Sequence, residues 1–140
     1  IGLEQLKKMD KILSIRNYNY KTIKKALLTN NEYKDQFRII SNDKKNEIAW
    51  FGIPISLSSN NKRYKQNVMN KLKKFGIITR PIISGNFAKQ PSIKLYKIKQ
   101  NYKLPNADEI DKSSFFLGLH NIKISKNKLN KFVNFFYSSL

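Results

Sequence analysis

Arg80, Ser84, Gly85, Asn86, Lys89 and Gln90 fall in one short stretch, Thr79 to Pro91, where a strand-like run gives way to polar residues that have no packing reason to sit together. The side-chain amides of Asn86 and Gln90 both donate and accept hydrogen bonds, as a hydroxyl-rich ligand requires, and Arg80 adds a forked cationic donor for an anionic oxygen. Gly85 lets a backbone come close to whatever is bound. An ordinary Gly-Asn turn after a strand accounts for Gly85 and Asn86 without any ligand, so the residues alone leave both readings open. His120, the single histidine, follows an apolar run; its type suits a structural position as well as a site.

The elements that must position these residues can be read from periodicity. Leu3, Leu6, Met9, Leu13, Tyr20, Ile23 and Leu27 recur at helical spacing and predict one long helix, or two run together, with a stop at Thr29-Asn30-Asn31. Arg16 and Asn17 interrupt that face, either as a solvated edge or as groups turned toward another domain. A short strand is expected over Gln36 to Ile40, then an exposed turn over Ser41 to Asn46. Ile48, Trp50, Ile53, Ile55 and Leu57 mark a strand, in which Gly52 and Pro54 suggest an irregularity or an edge. A helix capped by Asn60 or Asn61 should carry Tyr64, Val68, Leu72 and Phe75 inward and end at Gly76. Strand Ile77 to Ile83 then implies a crossover with that helix covering one sheet face. Pro91 to Pro105 reads equally as a loop or an extended run. Asn106 to Ile110 reads as a capped short helix with acids in its first turn, Ser114 to Leu119 as a strand, and Ser125 as the cap of a last helix with Leu129, Phe132, Val133 and Phe136 inward.

Composition bounds the function. The 140 residues, 40% hydrophobic, suffice for one domain with a modest core. With no cysteine and one histidine, disulfides, thiolate metal sites and imidazole zinc clusters are excluded, and a soluble chain of a reducing cytoplasm is expected. Apolar runs such as Ile77-Ile78 and Phe115-Phe116-Leu117 are far shorter than the roughly 20 residues of a membrane span. The net charge of +19 has two readings, a nucleic-acid binder or the lysine, asparagine and isoleucine bias of AT-rich codons. Arginine occurs only as Arg16, Arg38, Arg63 and Arg80, while lysine is spread over every segment, which favours the compositional reading.

Three segments together carry a resemblance: Ile1-Gly2-Leu3-Glu4-Gln5-Leu6-Lys7-Lys8, the Thr79-Arg80, Gly85-Asn86, Gln90-Pro91 series, and Ser114-Phe115-Phe116-Leu117-Gly118-Leu119-His120. The chain resembles the C-terminal part of the DegT/DnrJ/EryC1/StrS sugar aminotransferase family, nearest to its nucleotide-sugar 3-dehydratase branch. The resemblance implies an α+β fold, a small mostly antiparallel sheet with helices packed on one face, as in the small domain of fold-type-I pyridoxal-phosphate enzymes. It also implies that residues 1–140 are one domain of a larger homodimeric enzyme of deoxy- or amino-sugar (lipopolysaccharide) biosynthesis, whose substrate is a nucleotide-linked 4-keto sugar. The family's Schiff-base lysine (histidine in the dehydratase branch) and the acid facing the pyridine nitrogen belong to the other domain, so this chain alone is expected to hold no cofactor. Arg80, Ser84, Gly85, Asn86, Lys89, Gln90 and His120 are the substrate-binding residues the resemblance implies.

Overall fold

The computed structural model describes residues 2–41, 48, 50–58, 64–96 and 103–140. The order along the chain is α1 (Gly2–Leu6), α2 (Met9–Leu28), β1 (Phe37–Ile39), β2 (Gly52–Leu57), α3 (Lys65–Lys74), β3 (Thr79–Pro81), a 3-10 turn (Phe87–Lys89), α4 (Pro91–Leu95), α5 (Pro105–Ser113), β4 (Ser114–Gly118) and α6 (Lys126–Ser139). The four strands form one open sheet in the order β1-β2-β4-β3, and every neighbouring pair is antiparallel. Because β2 and β3 both run against the β4 strand between them, β2-α3-β3 is the crossover the sequence implied.

Side chains alternate across the sheet, and only one face is apolar throughout. Phe37, Ile53, Ile55, Leu57, Phe115 and Leu117 point into a core closed by Tyr20, Ile23 and Leu27 of α2, Val68, Met69 and Leu72 of α3, and Val133, Phe136 and Tyr137 of α6. Phe37 sits at its centre, edge-on to Phe136 at 5.0 Å. Arg38, Pro54, Phe116 and Arg80 occupy positions of the opposite parity, on the sheet's second face.

Local rules explain several boundaries. Gly76 takes φ 75° just past α3, its N–H donating to the Lys73 carbonyl (3.0 Å) and the Ile77 N–H to the Leu72 carbonyl (3.0 Å), the paired bonds of a Schellman stop. Ser125 caps α6, accepting from the Lys128 N–H at 3.4 Å. The first helical pattern splits into α1 and α2, and Leu3, Leu6 and Met9 remain exposed.

Several expectations are corrected. Pro54 does not mark an edge, since β2 lies between β1 and β4. The missing N–H of Pro54 faces the end of β1, where Ile40 donates to the Pro54 carbonyl at 3.1 Å. The Ile40 carbonyl, which an N–H at position 54 would have served, accepts instead from the Tyr20 hydroxyl at 3.0 Å. Second, Pro91–Leu95 is a short helix, neither loop nor extended run. Third, the helix expected over Asn106 to Ile110 begins earlier, with Pro105 in its first turn and Leu104 at the cap position, and that position makes no side-chain cap. Fourth, Arg16 and Asn17 are half-buried rather than solvated, and Arg16 Nε is buried without a hydrogen-bond partner among the described residues. The strand at 77–83 is confined to Thr79–Pro81. The turn expected at 42–46 and the cap at Asn60 or Asn61 lie outside the described residues.

Candidate functional site

After β3 the chain turns at Ile82-Ile83-Ser84-Gly85, closed by the Gly85 N–H donating to the Ile82 carbonyl at 3.0 Å. Ser84 and Gly85 both take positive φ, 63° and 51°. A left-handed serine costs about 1–2 kcal/mol and persists only where its surroundings hold it. Here Gln90 Nε2 reaches back to the Ser84 carbonyl at 2.9 Å. A larger residue at Gly85 would be strained by the positive φ, and its Cβ, 2.0 Å from Asp111 Oδ1, would force that carboxylate to swing away.

Asn86 is no hairpin residue. Its backbone is extended (φ −85°, ψ 99°), and it caps the following 3-10 turn by accepting from the Ala88 N–H at 3.1 Å. Its Nδ2 donates to Asp108 Oδ1 at 2.6 Å, and Lys89 Nζ pairs with the same oxygen at 2.5 Å. Those contacts hold the Asp108 carboxyl below its ordinary pKa, the Lys89 hydrogen bond contributing most and the Asn86 bond next. The loop is thereby strapped to α5 by polar contacts, with Asn86 only 2% exposed.

Five of the seven candidate residues, Ser84, Gly85, Asn86, Lys89 and Gln90, are gathered in this loop. Arg80 precedes it on β3, exposed and paired across the strand with Phe116. On the same sheet face an apolar cavity of about 280 Å³ is lined by Trp50, Phe51, Pro54, Ile82, Ile83 and Phe116. Gly52 lets the Phe116 ring and the β4 backbone lie close against β2, since a Cβ there would come within 2.6 Å of Phe116 and 2.9 Å of the Leu117 carbonyl. His120 is not part of the cluster: the loop lies beside the start of β4, and His120 follows the end of that strand.

The reach of two polar residues was missing from the sequence reading. Asp108 is the first-turn acid of α5 that the sequence predicts, and its distances to the loop add a second role. Asn19, 2% exposed within α2, donates from Nδ2 to the carbonyls of His120 (3.0 Å) and Ile122 (2.8 Å) and accepts from the Ile124 N–H (2.9 Å). It fixes the turn that carries His120.

Within the loop the amine, Lys89, is ion-paired with Asp108, and that carboxylate is shared by Lys89 and Asn86, so neither group stands ready to form a Schiff base or to face a pyridine nitrogen. Among the described residues there is no cluster of metal-binding side chains and no helix long and apolar enough to cross a membrane.

The fold has counterparts among known proteins. GDP-4-keto-6-deoxy-D-mannose 3-dehydratase of Yersinia pseudotuberculosis is 32% identical over 133 residues, 94% of this chain and 32% of that protein. The structure of the E. coli GDP-4-keto-6-deoxy-D-mannose-3-dehydratase with bound hydrated PLP superposes with a TM-score of 0.77 at 24% identity, covering 96% of this chain and 33% of that one. Helicobacter pylori PseC, an aminotransferase of pseudoaminic acid biosynthesis, superposes with a TM-score of 0.79 at 17% identity, over 99% of this chain and 35% of that one. The chain thus spans about a third of the length of these relatives and shares the fold of that third. The model of the DegT/DnrJ/EryC1/StrS aminotransferase family matches residues 1–135, and the chain belongs to that family.

Proposed function

We propose that residues 1–140 form the substrate-side, C-terminal domain of a pyridoxal-phosphate enzyme acting on a nucleotide-linked 4-keto sugar, with the cofactor held by residues outside this chain. The observation that carries the reading is the loop after β3: a strained Ser84-Gly85 turn, a locked Asn86 and an exposed Arg80, in a chain whose relatives include GDP-sugar 3-dehydratases. Loops held in costly backbone conformations on a rigid sheet are characteristic of binding sites.

Arg80 offers two parallel donors to a phosphate or a sugar oxygen from the sheet face, with the cavity beside Phe116 taking an apolar part of the ligand. The Ser84 hydroxyl and the Lys89 ammonium lie exposed along the loop. Their part is to bind and orient. The cofactor, when bound, supplies an electron sink for the carbanion formed on proton loss. Two outcomes share that step, loss of the 3-hydroxyl and transamination, and relatives of both kinds are present. The proposed partner is a second copy of the enzyme, as the family resemblance implies.

The test is product analysis with the protein from the complete reading frame that encodes this chain. With pyridoxal phosphate, an amino donor and GDP-4-keto-6-deoxymannose, a 3-deoxy sugar supports the dehydratase reading and a 4-amino sugar the aminotransferase reading. Neither product, under conditions where a relative turns over, refutes the proposal.

A further inference from the structure

Asp108 stands on α5, an element without a residue in the proposed ligand surface, yet it receives two of the loop's polar side chains on one oxygen. A carboxylate can only accept, so it dictates that the Asn86 amide presents Nδ2 to α5 and Oδ1 to its own 3-10 turn, where the Ala88 N–H is bound at 3.1 Å. The ammonium of Lys89 has three donors and spends one on Asp108, and its side chain stays 54% exposed. One turn along the helix, the Asp111 side chain occupies the space beside Gly85.

We propose that Asp108 is the positioning residue of the substrate loop: its carboxylate locks the Asn86 amide and holds Lys89 at a fixed place, so that the remaining Lys89 donors and the Ser84 hydroxyl are presented to an anionic, hydroxyl-bearing ligand. This rests on the substrate-loop reading above. It adds that the loop is preorganised from α5, so the entropy of ordering Lys89 is lost on folding rather than on binding.

Asp108 is faced by Lys89 from the 3-10 turn and by Lys112 from its own helix. Asp111 and Glu109 flank it on α5, and Lys65 of α3 donates to the Asp111 carbonyl. The lowered pKa of Asp108 agrees with two donors holding its charged form.

The experiment is NMR on the ¹⁵N-labelled protein, with Asp108→Asn and Asp108→Ala as variants. As pH falls, the Asn86 side-chain amide and the Ala88 N–H should shift together, with one midpoint below the ordinary carboxylate range, and Asp108→Asn should abolish that transition. In Asp108→Ala the Ala88 amide should exchange at least about tenfold faster while core amides such as Leu72 keep their protection. A wild-type Asn86 amide that ignores the titration overturns the proposal, as does unchanged Ala88 exchange in Asp108→Ala. Should Asp108→Ala fail to fold, the wild-type and Asp108→Asn titrations decide alone. These readouts need no substrate, so a failed substrate-loop reading would leave them standing, and their failure would leave the substrate reading to its own test.

Discussion

Removing the Asn19 side chain should cost the protein more than its position on a helix suggests. Asn19→Ala deletes three hydrogen bonds, of 3.0, 2.8 and 2.9 Å, that join α2 to the turn after β4. Each is worth about 0.5–1.5 kcal/mol net, and the turn's exposed residues let water reach part of what is released, so the expected loss is about 2–4 kcal/mol. Asn19→Asp is nearly the same shape but sets a carboxylate oxygen against two carbonyl oxygens, and should destabilise at least as much. Urea unfolding followed by tryptophan fluorescence suits the measurement, because Trp50 is the sole tryptophan and stacks on Tyr20 at 4.4 Å, one residue from the mutation. A loss under about 0.5 kcal/mol for Asn19→Ala, or a milder effect of Asn19→Asp, would refute the reasoning.

Other outcomes follow from single contacts. Gly52→Ala should lower stability by about 1–3 kcal/mol in thermal unfolding, because its Cβ meets the Leu117 carbonyl, which cannot rotate away. Tyr137, whose hydroxyl donates to the Leu27 carbonyl, has its pKa pushed up to about 12, chiefly by burial. The folded state then keeps a proton the unfolded chain releases near pH 10, so stability is intact below about pH 10 and falls as pH rises toward 12. Tyr137→Phe should flatten that alkaline slope in urea midpoints, and an unchanged slope would contradict it. Leu3, Leu6 and Met9, 77%, 58% and 47% exposed, should drive concentration-dependent association in ultracentrifugation that Leu3→Glu with Leu6→Glu suppresses. A clean monomer at high concentration would count against that patch.

What could be read in the sequence was what is local. The Val68 and Leu72 positions of α3, its stop at Gly76 and the Ser125 cap each depend on residues within a turn or two, whereas Tyr64 and Phe75, expected on the same inward face, are 40% and 47% exposed at its ends. What escaped depends on partners far along the chain. Asn19 meets groups 101 to 105 residues away, and inside a helix it looks like any solvated amide. Pro54 seemed to mark an edge because nothing nearby shows that β1 ends at Ile39 or that Tyr20 serves the Ile40 carbonyl. The five-residue α4 was too short to show a period. Of the candidate site, the loop residues were recognised by type, but their attachment to Asp108 was not, and His120 was grouped with them although it follows the far end of β4.

Whether the loop after β3 and Arg80 face the substrate is decided by steady-state kinetics of Arg80→Ala, made in the protein from the complete reading frame. Arg80 is exposed and lies outside the core, so the thermal midpoint should not move. Loss of its hydrogen bonds to an anionic or hydroxyl-rich ligand, about 1–3 kcal/mol, predicts a fall in kcat/KM for the nucleotide sugar of roughly 5- to 150-fold. An unchanged kcat and KM, or a collapse of stability in this variant, would mean that Arg80 does not bind the substrate.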